Sequence, residues 1–332
     1  MDGNRDEGIE QVDERSPERD AADDPLHALP RGVKRKRFLK EKKNRAKTAA
    51  YNKTPDRFKN ATSLQVRFRT GLVYVVVTLI AVMVNDVTTM LYLALVAAVC
   101  AGEFYYMMRV DSKMPNEFIG VIGAAAYPIA MWHFGSIGVL MVGLFLMMGL
   151  FIWYVYWMHA RVADVAISFF GASYTGLLLS PLILIRSTLA EPWGGVLLLV
   201  LFMSVWMNDA GAYLIGSRFG KHKLAPRTSP KKSWEGLIAG LVVSAAFWCL
   251  MVFIPGISIS VPQAIAYGLI CGSAGVLGDL TESRIKRNVG VKDSGTIMPG
   301  HGGLLDRCDS LFFASVTAAL LLLMGGCVPH VW

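Results

Sequence analysis

Residues Gly278–Ser310 read GDLTESRIKRNVGVKDSGTIMPGHGGLLDRCDS. Apolar runs long enough to cross a bilayer flank this stretch, at about Pro262–Leu280 and about Ser310–Val328. The polar residues are Asp279, Glu282, Arg284, Lys286, Arg287, Lys292, Asp293, His301, Asp306, Arg307 and Asp309. Charges at the mouths of two membrane helices must be solvated, paired, or bound to something charged.

The same alternation of apolar run and polar loop extends outward through most of the chain. Of its 332 residues, 54% are hydrophobic and 17% charged, and the mean hydropathy is +0.44. Soluble domains carry about 25% charged residues. The apolar residues gather in blocks of about 20, the length that crosses ~30 Å of hydrocarbon. The alternating segments of roughly 10 residues that mark a transmembrane barrel are absent. The fold class is therefore all-α, a polytopic helical membrane protein with about nine transmembrane helices. They are expected near Thr70–Val84, Val87–Met108, Phe118–Phe134, Ile137–Trp157, Val165–Ile185, Gly194–Ile215, Leu237–Ile254, Pro262–Leu280 and Ser310–Val328. Glu103 lies inside the second, where a carboxylate suits either a functional role or a hydrogen bond to another helix. Gly268, Gly272, Ser273, Ala274, Gly275 and Gly278 make the eighth suited to close packing.

The N-terminal region differs from the rest. Residues 1–24 are acidic and residues 31–59 are basic, led by KRKRFLKEKKNRAK. Residues 1–60 are expected to form a disordered, acidic-then-polybasic cytoplasmic tail. No secretory-signal core is seen near the N-terminus. The basic run serves to hold the N-terminus in the cytoplasm or to attach to anionic lipid. It has no accompanying nucleic-acid-binding fold, so the net charge of +8 is read as a topology signal and no nucleic-acid partner is expected. With nine spans, the loops after even-numbered spans hold Arg109, Lys113, Arg161, Arg218, Lys221, Lys223, Arg227, Lys231, Lys232 and the set from Arg284 to Arg307. The opposite loops hold only Arg186. This asymmetry puts both long polar loops, Gly216–Gly236 and Gly278–Ser310, on the cytoplasmic side. The five cysteines contain no CxxC pair and read as small apolar residues, with no disulfide frame and no zinc site.

The polar loops contain two kinds of chemistry. Asp279 and Ser283 share a helix face if the eighth helix continues, and Asp306 and Asp309 share one at the start of the ninth. Oxygen ligands converging from two helices suit Mg²⁺. The glycines around His301 allow close approach to a phosphate. Lys286, Arg287, Lys292 and Arg307, with Lys221, Lys223, Lys231 and Lys232 from the other loop, supply positive charge. Acidic metal ligands beside basic phosphate clamps are the parts of metal-assisted phosphoryl or nucleotidyl transfer. GxxxxGK[ST], a strand–helix GxGxxG and HExxH are all absent.

Ser283-Arg-Ile-Lys286-Arg287, Lys292-Asp293-Ser-Gly295 and Pro299-Gly-His301-Gly302-Gly303-Leu-Leu-Asp306-Arg307-Cys-Asp309 together resemble the signature of the phosphatidate cytidylyltransferase (CDP-diacylglycerol synthase) family. Asp209-Ala-Gly-Ala-Tyr213, Phe219-Gly220-Lys221-His222-Lys223 and Ser229-Pro230-Lys-Lys232-Ser-Trp-Glu235-Gly236 are similar to its other characteristic segment. The resemblance covers roughly residues 70–328, and residues 64–332 are read as the membrane-embedded cytidylyltransferase domain. Met298, Cys308 and Ser233 depart from the usual residue types without removing a proposed ligand, and Cys308 would give a thiol-reactive handle near the site.

The resemblance implies transfer of CMP from CTP to phosphatidate, giving CDP-diacylglycerol and pyrophosphate. It implies Mg²⁺ held by Asp279 and Asp306, with Ser283 and Asp309 in support and room for a second cation such as K⁺. Lys286, Arg287, Lys292 and His301 would contact phosphates, joined by Arg307. Asp209, Lys231 and Lys232 would help to bind nucleotide or lipid headgroup. The catalytic set is then Asp279, Ser283, Lys292, His301, Asp306 and Asp309. A homodimer is compatible with this reading. Compact length and cytoplasmic topology favour a bacterial plasma (inner) membrane. The competing readings are a CTP-dependent lipid (polyprenol) kinase and an anion transporter, the latter disfavoured because charge gathers at one face.

Overall fold

A computed structural model describes residues 63–111, 113–300 and 302–328 of the chain. The acidic-then-basic stretch over 1–60 and His301 lie outside the described residues. The described part is mostly helical over the apolar runs. In order the helices are α1 (Ser63–Val84), α2 (Asp86–Val110), α3 (Glu117–Tyr156), α4 (Val162–Ala172), α5 (Pro181–Arg186), α6 (Trp193–Phe219), α7 (Trp234–Leu250), α8 (Val261–Asn288) and α9 (Leu305–Met324). A wide turn, Ser173–Leu177, links α4 to the region of α5, so that Val162–Arg186 acts as one apolar span. Among the described residues, seven segments are long and apolar enough to cross a membrane, and Phe68–Val84 is a shorter eighth. The chain is a multi-pass membrane protein.

Counted as apolar segments, these eight are one fewer than the nine spans expected. The runs expected at Phe118–Phe134 and Ile137–Trp157 are joined in the 40-residue α3. The junction is Gly135, whose φ of 59° and ψ of −145° break the helical path and suit a residue without a Cβ. The two halves then fold back on each other. A Cβ on Gly123 would lie 2.8 Å from Leu146, and one on Gly138 would lie 2.5 Å from the Ala130 carbonyl. Both ends of α3 consequently lie at the same end of the bundle. The segment before it donates from Met114 N–H to Asp164 Oδ1 (2.9 Å) at the start of α4.

Local chemistry sets the helix starts. Asn85 caps α2 by accepting from Thr88 N–H at 2.8 Å, and Thr88 returns a bond to Asn85 N–H. Asn116 caps α3, Ser233 caps α7, and Ser260 with Gln263 forms a capping box on α8. Each cap satisfies backbone donors that a membrane end leaves open. Glycines bring α8 close to its neighbours. A Cβ on Gly268 would lie 2.5 Å from Ala245 Cα of α7, and one on Gly278 would overlap the Asp309 carbonyl of α9. Phe104, Tyr105, Trp248, Leu201 and Phe312 fill the centre. Ile122, Leu140, Phe145 and Met148 of α3 are exposed large apolar side chains, as a lipid-facing hairpin requires.

Two departures from the expected pattern shape the polar end. α8 runs eight residues beyond Leu280, to Asn288, so Ser283, Lys286 and Arg287 stand on a helix. At 28 residues it is ~42 Å long, and its last turns rise beyond a ~30 Å apolar core. The second polar stretch holds a small antiparallel sheet, β1 (Lys223–Ala225) with β2 (Ser229–Ser233), pairing Lys223 with Ser233 and Ala225 with Ser229. It is the one sheet among the described residues.

The far end of the bundle is closed by Arg186, which is 1% exposed. It pairs with Asp86 Oδ1 (2.9 Å) and Glu191 Oε1 (2.6 Å) and donates from Nε to the Val82 carbonyl (3.0 Å). It ties the α1–α2 turn to the end of α5. Replacing it with Ala removes three charge-assisted bonds, while Asp86 and Glu191 keep partial access to solvent. Arg186→Ala is therefore expected to destabilise the bundle by about 2–3 kcal/mol, read as a lower apparent melting temperature in detergent, with turnover per folded molecule unchanged.

Candidate active site

The two polar loops meet. Lys232, on β2, reaches Asp279 Oδ2 of α8 at 2.5 Å. Strand geometry decides which lysine does so: successive side chains on β2 point to opposite faces, leaving Lys231 exposed and Lys232 half-buried. The Lys232 contact is an ion pair without hydrogen-bond alignment. One helical turn on, Ser283 Oγ donates to Asp279 Oδ1 at 3.1 Å, as the i, i+4 spacing requires.

Carboxylates surround this point. Asp309, 8% exposed, lies within electrostatic reach of Asp279, Glu282 and Asp209. Asp209 of α6 accepts from Ser310 Oγ at 3.1 Å and lies within reach of Lys232, Asp279 and Arg307. Glu282 is fully buried, and neither of its oxygens has a hydrogen-bond partner, although Lys286 Nζ forms an ion pair with it. Tyr174 OH, beneath, is also buried without a partner and within reach of Asp309 and Glu282.

Asp306 stands one step aside. Its Oδ1 pairs with Lys286 Nζ at 2.5 Å. Its Oδ2 accepts from Ser294 N–H (2.9 Å), Ser294 Oγ (3.0 Å) and Gly303 N–H (2.9 Å). Asp306 thus ties the loop between α8 and α9 to the helix it begins. Met298 and Gly302 exchange both backbone bonds within that loop, and Gly302 has φ 90°, a conformation natural to glycine. The Asp306 carboxylate is therefore engaged at both oxygens by the protein.

Of the residues singled out in the sequence, the structure gathers Asp209, Lys232, Asp279, Ser283, Lys286, Asp306 and Asp309. Lys231, Arg287, Lys292 and Arg307 are exposed at the same polar end, with Arg287 Nη1 donating to the Val291 carbonyl at 3.2 Å. Lys286 is not turned outward toward a phosphate. It is buried between Glu282 and Asp306. The expected thiol handle at Cys308 is corrected: the side chain is 1% exposed and faces Tyr74 OH at 3.8 Å, which closes it to solvent. Glu282 and Ser294, given no site role in the sequence, belong to the arrangement, as does Glu103, read there as either functional or hydrogen-bonded to another helix, which it is. Glu282 follows Asp279 by three positions on one face, a spacing that could have marked it. Glu103 had the signal of a carboxylate inside an apolar run. Ser294 had none.

The donor set can be tested against Mg²⁺. Among the described residues no three His, Cys, Asp or Glu side chains stand close enough to hold an ion by themselves. Mg²⁺ ordinarily takes one or two carboxylates, with substrate phosphates and water completing its shell. The site offers oxygen donors only, with Asp209, Asp279, Glu282 and Asp309 facing Lys232 and Lys286. That acidic excess fits a divalent cation shared with a phosphate-bearing ligand.

The fold and this end of it define a class: a helical membrane protein with a buried acidic centre under a rim of basic residues. The sequence model of the cytidylyltransferase family matches residues 65–324, and the chain belongs to that family. The phosphatidate cytidylyltransferase of Staphylococcus haemolyticus (strain JCSC1435) is 44% identical over 126 residues, 38% of this chain and 48% of that protein. The protein of that name in Haemophilus influenzae is 47% identical over 126 residues, 36% of this chain and 44% of its own. That of Staphylococcus aureus (strain COL) is 46% identical over 126 residues, 38% and 48% respectively. The chain thus spans about half the length of the curated relatives it matches.

Proposed function

We propose that the chain transfers CMP from CTP to phosphatidate at the cytoplasmic surface of a bacterial plasma membrane, releasing pyrophosphate. The observation that carries this reading is the Lys232–Asp279 ion pair. It joins the two polar stretches, Gly216–Gly236 and Gly278–Ser310, at one acidic centre. The basic loops at that end support a cytoplasmic orientation. Diacyl tails would stay in the bilayer while CTP arrives from the cytosol, and a site at helix ends meets both.

The lipid phosphate oxygen would attack the α-phosphorus of CTP, forming a P–O bond as the bond to pyrophosphate breaks. A phosphate monoester is already anionic near neutral pH, so no general base is required. Asp279 and Asp306, with Asp309 in support, would hold Mg²⁺, which when bound neutralises triphosphate charge. A second cation such as K⁺ would find Glu282 and Asp209 available. Lys232, half-buried and paired with Asp279, would contact a phosphate bound there. Lys231, Arg287, Lys292, His301 and Arg307 would hold the outer phosphates and the headgroup. Ser283 fixes the rotamer of Asp279. The direct test is turnover of CTP and phosphatidate by purified protein with and without Mg²⁺. Formation of CDP-diacylglycerol only with Mg²⁺ is expected, and no product under either condition would overturn the reading.

A further inference from the structure

Glu103 is 5% exposed, on α2, and belongs to neither family segment quoted above. Its Oε2 accepts from Leu305 N–H at 2.8 Å and lies 3.2 Å from Ser294 Oγ. Leu305 is the first residue of α9, and α9 has no side-chain cap of its own. The first amides of a helix need an acceptor and favour a negative group beside them. Glu103 supplies both from a helix some two hundred residues away in sequence. The loop is built around this carboxylate. A Cβ on Gly295 would overlap Glu103 Oε1, and one on Gly303 would overlap Oε2 and Ser294 Oγ. Ser294 in turn donates to Asp306. A hydroxyl has one hydrogen, so Ser294 Oγ serves one of the two carboxylates at a time, while its N–H stays on Asp306.

We infer that Glu103 is a positioning residue that caps α9 from outside and sets the placement of the Ser294–Leu305 segment, and through it Asp306 and Asp309. Glu103 touches no part of the acidic centre at Asp279, so it acts on the reaction only through these groups. The inference rests on the proposed transfer reaction for its kinetic readout, but not for its structural one.

The experiment uses the full chain in nanodiscs, as wild type, Glu103→Gln and Glu103→Ala. Hydrogen exchange is measured over the backbone, and kcat and KM are measured with CTP and phosphatidate. Glu103→Ala should expose the Leu305 and Ser294 amides to faster exchange while α6 and α7 stay protected. It should lower kcat by roughly 10–100-fold, the scale of a small misplacement near reacting groups. Glu103→Gln keeps an acceptor oxygen and the same shape, and should recover kcat to within about threefold of wild type. Equal losses in Gln and Ala, or unchanged exchange at Leu305 in Ala, would overturn the inference. Should Glu103→Ala not fold, Ser294→Ala decides: a kcat drop of at least about fivefold is expected, and an unchanged kcat would overturn it. Absence of turnover in wild type would sink the transfer reading alone, leaving the exchange comparison to judge Glu103.

Discussion

Asp279→Asn is expected to lower CDP-diacylglycerol formation by at least about a hundredfold, the order lost when one electrostatic stabiliser is removed from a reacting centre. The substitution preserves shape. Ser283 Oγ can still donate to the amide oxygen in place of Oδ1, now at 3.1 Å, so α8 should insert and pack as before. What changes is charge. Lys232 loses the anion it contacts at 2.5 Å, and the centre loses the carboxylate shared by both loops. Because Lys232 and Asp279 act together, Lys232→Met combined with Asp279→Asn should cost far less than the product of the two single losses. The kinetics of purified variants, with insertion checked by gel filtration in detergent, measure this. Wild-type turnover in Asp279→Asn would remove it from the site.

Asp306→Asn should also bring turnover close to zero, for a different reason. An amide presents one oxygen and one NH₂. If its oxygen faces Ser294 and Gly303, its NH₂ meets Lys286, and two donors oppose each other where Oδ1 now sits 2.5 Å from the ammonium. If it flips, the Ser294 and Gly303 amides lose their acceptor. Either way the loop is loosened and Lys286 is left with Glu282 alone. Asp306→Asn should therefore show faster exchange over Ser294–Gly303 as well as lost turnover, whereas Asp279→Asn should leave that loop protected. Loss of turnover with an unchanged loop would assign Asp306 to ligand binding only. Normal turnover would exclude it from both roles.

Much of the fold was legible because a bilayer admits few solutions. Each apolar run became helix, and the loop charges sorted the polar stretches to one end. Even the α3 hairpin could be seen as two runs parted near Gly135, where the backbone leaves the helical path. In the candidate site, helical spacing carried the contact of Asp279 with Ser283, whereas Asp306, placed on one face with Asp309 by its spacing, is held by Lys286, Ser294 and Gly303. What depended on contacts distant in sequence was hidden. Nothing in Lys231-Lys232 shows which lysine points inward, because that follows from a short strand within a stretch read as loop. Lys286 looked like a phosphate clamp because its two carboxylate partners approach it from one helical turn behind and from the next helix. Glu103 announced itself by the cost of a carboxylate in an apolar run, yet its partners, Ser294 and Leu305, lie far along the chain.

In the proposed reaction the α-phosphoryl group of CTP, carrying cytidine, passes to phosphatidate. CTP labelled separately at the α- and γ-phosphorus, incubated with the purified protein, phosphatidate and Mg²⁺, tests it most directly. α-Label is expected in the lipid product and γ-label in pyrophosphate. Entry of γ-label alone into lipid would contradict it and make the protein a CTP-dependent lipid kinase.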